Sequence, residues 1–130
     1  MKISESAEDY LETILILQGQ KPHVRSIDIV SYLDFSKPSV STAMKRLREN
    51  GLILMDEDGY ITLTKSGREI AEKIYERHLV IAEIFHSLGV PEEIALKDAC
   101  KIEHDISEIS FQRMKSHYLE RKKSQLALEK

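Results

Sequence analysis

Apolar residues recur every three or four positions through the first fifty residues, and this spacing predicts three amphipathic helices. The first helix is predicted to begin at Ser6, with Asp9 in its first turn, and to end near Gly19. The second begins at Ser26, and a short turn then leads to a third helix that Ser36 caps.

The pattern changes after Gly51, where apolar and polar residues begin to alternate. An Asp-Gly pair divides the alternating stretch in two, as in a tight turn. We therefore predict a β-hairpin with its apolar positions at Leu52, Leu54, Ile61 and Leu63. Two helices joined by a short turn and followed by a hairpin are the plan of a winged helix-turn-helix.

The rest of the chain returns to the helical period. A long helix is predicted from about Thr64 to Gly89, and another opens at Pro91. A last helix begins near Ser107, and its charged end, residues 120–130, is expected to fray. The apolar stripe of the long helix contains Ile70, Ala71, Ile74, His78, Ile81, Phe85 and Leu88. The next helix runs through Glu92, Ile94, Ala95, Ala99 and Ile102, and the last helix has Ile109 or Phe111, Met114 and Tyr118 inside.

These patterns predict a mainly α chain with two parts. Residues 1–64 form a winged helix-turn-helix DNA-binding domain, and residues 65–130 form an all-helical domain. The apolar faces of the last helices exceed what one small winged domain requires, which favours a homodimer. Hydrophobic residues make up 42% of the chain and charged residues 32%, which is typical of a folded domain.

The sequence favours a cytoplasmic location. No long apolar run occurs, and the N-terminus has acidic residues and helical periodicity where a signal peptide would be basic and then apolar. The single cysteine, Cys100, cannot form an internal disulfide. We expect no membrane partner and no organic substrate. No metalloprotease motif, phosphate-binding glycine loop or catalytic triad is evident, so an enzyme is not expected.

One basic segment stands out in a chain whose formal net charge is -3. Residues 36–48 carry four basic side chains and no acid. Such a segment is either the solvated face of an ordinary helix or a surface for DNA phosphates, and the adjoining hairpin favours DNA. The acidic hairpin tip, residues 56–58, is not expected to lie on DNA. The predicted DNA contacts are Arg25, Ser36, Lys37, Pro38, Ser39, Ser41, Thr42, Lys45 and Arg46.

A second group of residues suggests metal chemistry. On a helix, Cys100 shares a side with Glu103 and His104. Taken singly, a lone cysteine is more often a small buried residue, a histidine on an apolar stripe a core residue, and an acidic pair a solvated surface. Spacing alone therefore leaves both interpretations open.

Five stretches together resemble one known family. They are AEDYLETI from Ala7, SKPSVSTAMKRLRENGLI, LTKSGREIA after the hairpin, ERH ending at His78, and ACKIEH from Ala99. They are similar to the diphtheria-toxin-repressor family of metalloregulators, and above all to its short manganese-transport-regulator branch. The resemblance extends to about Tyr118 and implies a metal-binding and dimerisation role for the helical domain. The ligands that it implies are Asp9, Glu12, His78, Cys100, Glu103 and His104.

The chain combines features of two branches of this family. The manganese branch typically has a carboxylate where this sequence has Cys100, and the iron branch usually has methionine where Asp9 stands. The iron branch often adds an SH3-like domain that 130 residues do not accommodate. Oxygen ligands suit Mn(II) or Fe(II), whereas a thiolate favours Fe(II), Co(II) or Zn(II). The expected cofactor is Mn(II) or Fe(II), with Co(II) or Zn(II) as substitutes.

The resulting hypothesis is a repressor of metal-uptake genes that binds palindromic operator DNA as a homodimer with the metal as co-repressor. One alternative is a winged-helix repressor that senses an organic ligand or the oxidation of Cys100. Another is an interaction module that does not bind DNA. Only the metal hypothesis requires Glu103 and His104 for regulation.

Overall fold

A computed structural model describes residues 3–128, which form six helices and a two-stranded sheet. The chain divides into two compact units, one up to Tyr75 and the other from Glu76 onward. The mainly α prediction, with a winged helix-turn-helix followed by a helical domain, is confirmed. The elements are α1 (Glu5–Gln18), α2 (Ser26–Leu33), α3 (Lys37–Glu49), β1 (Ile53–Met55), β2 (Ile61–Leu63), α4 (Lys65–Ser87), α5 (Glu92–Ile102) and α6 (Glu108–Leu128).

Helix α1 begins earlier than predicted. Ser4 has an extended backbone, and its hydroxyl oxygen accepts a hydrogen bond from the Ala7 amide at 3.2 Å. Ser4 is therefore the N-cap, and the predicted start at Ser6 is wrong because Ser6 already lies inside the first turn. The end of the helix agrees with the prediction, since Gly19 is its C-cap.

The two helices of the helix-turn-helix begin where the sequence predicts. Helix α2 starts at Ser26, and the turn after it passes through Asp34 in the left-handed conformation, with φ of 57°. Helix α3 is capped by Ser36, whose hydroxyl oxygen accepts a hydrogen bond from the Ser39 amide at 3.2 Å. Pro38 lies in the first turn of α3, where a missing N–H has no cost.

The wing is a short antiparallel hairpin in which Ile53 lies opposite Leu63 and Met55 lies opposite Ile61. Ile53 and Ile61 are buried, but Leu54 is 60% exposed, so its predicted place on the apolar side is wrong. Both Leu52 and Ile53 are buried, and this interrupts the alternation that the sequence suggested. The Val24 carbonyl accepts a hydrogen bond from the Ile61 amide at 2.7 Å, which ties the wing to the segment before α2.

The first unit has a core to which α1, α2, α3, the wing and the start of α4 all contribute. Because each amphipathic helix buries one face in this core, its opposite face remains in solvent. The fully buried members include Leu11, Ile14, Ile29, Val40, Ile53 and Ala71.

The start of α4 is fixed against the chain that leads into the wing. The Thr64 hydroxyl donates a hydrogen bond to the Gly51 carbonyl at 2.7 Å and accepts one from the Gly67 amide at 3.1 Å. The Leu52 carbonyl also accepts a hydrogen bond from the Thr64 amide at 3.1 Å. A Cβ at Gly67 would lie 2.0 Å from the Leu52 oxygen, so this position accommodates only glycine.

The second unit has a smaller core made by Ile81, Ala82, Ala95, Ala99 and Phe111. Phe111 is 2% exposed and Ile109 is 76% exposed, which decides between the two predicted inward residues. One predicted position of the apolar stripe is wrong, because Leu88 lies beyond the end of α4 and is 72% exposed.

Helix α6 includes most of the charged segment that was predicted to fray. It continues to Leu128, and the last two predicted residues lie outside the described chain. Lys122 donates a hydrogen bond to the Glu83 carboxylate at 3.1 Å, which holds α6 on α4. Hydrogen bonds from Tyr118 and then Lys122 lower the pKa of Glu83.

Among the helices between residues 3 and 128, none is long and apolar enough to cross a membrane.

The close approach of Gly67 to the Leu52 carbonyl oxygen predicts that Gly67→Ala destabilises the first unit. A Cβ 2.0 Å from a backbone oxygen forces the helix or the wing to move. We expect a loss of about 1–3 kcal/mol in the free energy of unfolding, as in other overpacked interiors. Urea denaturation followed by circular dichroism measures it, with Gly19→Ala as a control because its added Cβ meets only one oxygen, at 3.4 Å. Equal stability of the two variants would contradict the claim that position 67 accommodates only glycine.

Candidate metal centre and nucleic-acid interface

The second unit brings three of the predicted metal ligands together. Glu103 is the C-cap of α5 and is completely buried. Its Oε2 lies 2.9 Å from His78 Nδ1, and its Oε1 lies 3.4 Å from His104 Nε2. A carboxylate thus stands between two imidazoles that come from different elements of this unit.

One oxygen of Glu103 has an unusual environment. Within residues 3–128, Oε1 has no hydrogen-bond partner, although it is buried. A buried carboxylate oxygen without a hydrogen-bond donor costs free energy, because the hydrogen bonds that it made to water are not replaced. Carboxylate oxygen and imidazole nitrogen are ordinary ligands for divalent transition metals, so the residues present fit such a cation.

Cys100 lies on α5, three residues before Glu103. The alternative of a small buried residue is not what the structure shows, because Cys100 is exposed. Its thiol is therefore accessible either to a cation or to an oxidant.

Asp9 and Glu12 belong to the first unit. They are three residues apart in α1, so their carboxylates project from the same side of this helix. Glu12 is 7% exposed, which is unusual for a carboxylate. Burial raises the pKa of the neighbouring Tyr10, and the negative charge of Asp9 adds to this effect.

Sequence reasoning missed one residue of the second unit. Arg77 is only 7% exposed, and its guanidinium donates hydrogen bonds to the backbone carbonyls of Glu103 and Ile106. A signal was present, because Arg77 lies three residues after Ile74 and four before Ile81, on the apolar side of α4.

The predicted DNA contacts of α3 lie on its solvent side. Four of them, Pro38, Ser41, Thr42 and Lys45, share the outward face of the helix, and all the predicted residues from Ser36 to Arg46 are exposed. The Ser36 hydroxyl is already used, since it caps α3 and donates a hydrogen bond to the Ser39 hydroxyl at 2.8 Å. A row of short polar side chains followed by a basic one is what base edges and phosphates require.

Arg48 was counted in the basic segment but was not among the predicted contacts. It lines a groove of about 350 Å³ together with Ser41, Thr42 and Lys45 from α3 and Met55 from the wing. Its Nη1 lies 3.8 Å from the Met55 sulfur. The structure therefore adds Arg48 to the basic surface between α3 and the wing.

Arg25 is held in place by several contacts. Its guanidinium lies 4.6 Å from the centre of the Tyr60 ring, which also stacks on His23 at 4.2 Å. Its backbone amide donates a hydrogen bond to the Asp28 carboxylate at 2.9 Å. Hydrogen bonds from Lys21 and then from the Arg25 amide lower the pKa of Asp28. These contacts fix the N-terminus of α2 beside the wing.

The acidic wing tip has a structural role. Asp56 Oδ1 accepts hydrogen bonds from the Asp58 and Tyr60 amides, both at 2.9 Å. One of the three tip carboxylates therefore closes the turn itself.

Comparison with known proteins gives two family matches that together span most of the chain. Residues 2–61 match the family described as iron dependent repressor, N-terminal DNA binding domain. Residues 64–124 match the family described as iron dependent repressor, metal binding and dimerisation domain.

Individual relatives agree with these matches. The chain is 36% identical over 104 residues to the transcriptional regulator MntR of Escherichia coli O6:H1, covering 80% of this chain and 67% of that protein. It is 34% identical over 116 residues to an uncharacterized HTH-type transcriptional regulator of Methanocaldococcus jannaschii, covering 87% of this chain and 92% of that one. A solved manganese-dependent transcriptional repressor in complex with manganese superposes with a TM-score of 0.77 at 27% identity. That match covers 85% of this chain and 51% of the repressor, so the chain spans about half its length.

The environment of Asp28 predicts a pH-dependent contribution to stability. Asp28→Ala removes the contacts to Lys21 and to the Arg25 amide, and we expect a loss of about 1 kcal/mol at pH 7, as for other helix caps. Because the pKa of Asp28 is lowered on folding, this stabilisation is full above the unfolded-state value of about 3.9 and is lost as pH falls through the folded value. Urea denaturation of both proteins at pH 7 and under acid conditions measures it. A difference in the free energy of unfolding between the two proteins that stays constant down to low pH would contradict the proposed contribution of Asp28.

Proposed function

Because the chain belongs to the iron-dependent repressor family, we propose that it is a metal-dependent transcriptional repressor of metal-uptake genes that binds palindromic operator DNA as a homodimer. Its co-repressor in this proposal is Mn(II) or Fe(II), with Co(II) or Zn(II) as substitutes. The family consists of transcriptional regulators rather than enzymes. The proposal places the protein in the cytoplasm, with DNA and a second copy of the chain as partners and with no membrane or organic substrate.

The observation that carries the proposal is the buried Glu103 carboxylate between two histidines. Its Oε1 accepts no hydrogen bond from residues 3–128 and is withdrawn from water. A divalent cation would neutralise this charge and supply the missing partner, and it would then bridge side chains from separate helices.

We propose that His78, Cys100, Glu103 and His104 supply the ligands of the second unit. Asp9 and Glu12 remain proposed ligands from α1, supported by their shared side of that helix and by the burial of Glu12. Carboxylates and imidazoles suit Mn(II) and Fe(II), while the exposed Cys100 thiol would shift the preference toward Fe(II). The ligand set therefore supports either metal as the physiological one.

The proposed functional boundary lies at the start of α4. Residues 1–64 read DNA, and residues 65–130 bind metal and dimerise. The family matches support this division, since one stops at residue 61 and the other begins at residue 64. The boundary between the two compact units instead falls after Tyr75, inside α4. A long helix that belongs to both units suits a protein in which metal binding controls a DNA-reading head.

The proposed regulation depends on the separation of two recognition helices in a dimer. Two half-sites present their major grooves roughly 34 Å apart or at a multiple of this distance, so variable spacing weakens binding at both half-sites. Ligands on α1 and on α4–α5 that share one cation would restrict this variation. The implied coupling is on the order of 1–3 kcal/mol per protomer.

The basic surface between α3 and the wing is the proposed DNA-binding face. It combines short hydroxyl side chains with Lys45 and Arg46, and Arg48 extends it. Lys37 and Arg25 would contact phosphates at its edges. The acidic tip is proposed to stay off DNA, because its carboxylates would face phosphate.

The metal centre predicts a specific effect of Glu103→Gln. The variant keeps the shape of the side chain but loses its charge, so Mn(II) affinity should fall by at least about 100-fold. This loss exceeds the one expected when a residue that only hydrogen-bonds to a metal ligand is replaced. Competition with a fluorescent chelator under anaerobic conditions measures the affinity. Glu83→Gln is the matched control, since Glu83 is an acidic residue of the same unit that binds Lys122 instead. Unchanged Mn(II) affinity in Glu103→Gln would contradict the proposed site.

The same variant separates metal control from thiol sensing. We expect Mn(II) to strengthen binding of wild-type protein to a duplex selected from a randomised DNA pool, and to have no such effect on Glu103→Gln. If Cys100 were instead the sensor, peroxide would release wild-type protein from DNA, Cys100→Ser would resist it, and Mn(II) would have no effect. Fluorescence anisotropy with labelled duplex in buffered Mn(II) or in chelator distinguishes the two results.

The DNA face predicts the behaviour of Lys45→Ala. Loss of a phosphate contact should lower the affinity of the protein for selected and unrelated duplexes alike. It should also reduce the salt dependence of binding by about one counterion per protomer. Anisotropy titrations between 50 and 200 mM salt, roughly the range over which such effects are large, measure it. Lys123→Ala, an exposed lysine of α6, is the control. An unchanged salt dependence for Lys45→Ala would remove this residue from the DNA face.

A further inference from the structure

Arg77 occupies an unusual position in the second unit. It is 7% exposed and directly precedes His78 in α4. Arginine is rarely buried to this extent unless its charge and its donors are used. The contacts of Arg77 therefore indicate what it does.

The guanidinium of Arg77 binds the turn between α5 and α6. Its Nη1 donates hydrogen bonds to the carbonyl oxygens of Glu103 at 3.1 Å and Ile106 at 2.9 Å. Carbonyls at the end of a helix have no donors within that helix, and they carry the negative end of its dipole. Arg77 thus caps α5 from the side and fixes the shape of the turn that follows.

A second set of contacts fixes the guanidinium itself. Its Nη2 lies 2.7 Å from the Glu108 carboxylate, at the first residue of α6. The group also lies 5.2 Å from the centre of the Phe111 ring, which belongs to the core of the unit. Because the guanidinium is planar and its donors point in fixed directions, these contacts set the orientation of the turn as well as its distance.

The turn held by Arg77 carries Glu103 and His104, and the helix that carries Arg77 also carries His78. Any movement of the turn relative to α4 would change the 2.9 Å separation of Glu103 and His78. A lysine in place of Arg77 would offer a single ammonium and could not reproduce the planar fork.

We propose that Arg77 is a positioning residue for the metal centre. It holds the turn with Glu103 and His104 against α4, so that these side chains are arranged around His78 before a cation binds. This inference rests on the proposed function, because it assumes that His78, Glu103 and His104 are metal ligands. It adds a residue that contacts no metal and sets the affinity and geometry of the site through the backbone.

The test uses Co(II) as the probe, added to the chain of residues 1–130 under anaerobic conditions. Visible absorption reports the geometry of the Co(II) site, and chelator competition reports the affinity. We expect Arg77→Met to bind Co(II) about 10- to 100-fold more weakly and with altered visible bands, as for other outer partners of metal ligands. Arg77→Lys should recover part of the affinity, and Glu108→Gln should weaken binding less, because it leaves the carbonyl contacts in place.

Lys115→Met is the matched control. It removes the ion pair between Lys115 of α6 and Glu76 of α4, the residue just before Arg77, without touching the turn. We expect this control to keep the wild-type Co(II) spectrum and to bind within about twofold of wild type. Thermal unfolding of the metal-free proteins shows whether the variants are folded, and Arg77→Lys and Glu108→Gln carry the test if Arg77→Met does not fold.

Two results would overturn the inference. One is a wild-type Co(II) affinity and spectrum in the folded Arg77 variants, and the other is an equal loss in Lys115→Met, which would show that only general packing of α4 and α6 matters. A wild-type protein that binds no Co(II), Mn(II) or Fe(II) would instead contradict the proposed function itself. The two failures are therefore distinguishable.

Discussion

The contact between Glu103 and His78 is the interaction on which the second unit depends. An ionised carboxylate withdrawn from water costs several kcal/mol unless charges or donors compensate it. Here one carboxylate oxygen lies 2.9 Å from an imidazole nitrogen, and the other has no hydrogen-bond partner within residues 3–128. Arg77 donates a hydrogen bond to the backbone carbonyl of Glu103, and we propose that this contact positions the turn that carries the carboxylate. We propose that this arrangement binds a cation, and the match of residues 64–124 to a metal-binding and dimerisation domain supports the proposal.

In the first unit, a different set of contacts holds a basic surface in a defined shape. Ser36 caps α3, the Thr64 hydroxyl binds the Gly51 carbonyl, and Arg25 is fixed by Asp28 and Tyr60. None of these contacts uses a basic side chain of α3, and Lys37, Lys45, Arg46 and Arg48 are all exposed. The unit is thus suited to present Lys45 and its neighbours to a phosphate backbone.

Much of this architecture could be predicted from the sequence, because strong local signals specify it. The serine cap of α3 and the Asp-Gly turn of the wing are such signals, and the structure agrees with both. The signals failed where tertiary packing decides. Ser4 and Ser6 can both cap a helix. Leu54 is exposed because its neighbour Ile53 faces the core, and successive side chains of a strand point to opposite faces.

The candidate site was predictable only through several motifs taken together. Spacing alone placed Cys100 beside Glu103 and His104, while the addition of His78 came from the family resemblance. The structure brings His78 to Glu103 within one unit. The role of Arg77 could not be predicted from the sequence, because its partners are backbone carbonyls far away in sequence.

The most direct test of the account is the Mn(II) affinity of the full chain, measured with a competing chelator in the absence and the presence of a saturating selected DNA duplex. If metal and DNA stabilise the same state, the duplex must raise Mn(II) affinity by the factor by which Mn(II) raises DNA affinity, roughly 5- to 150-fold. An Mn(II) affinity that is identical with and without DNA would contradict the account.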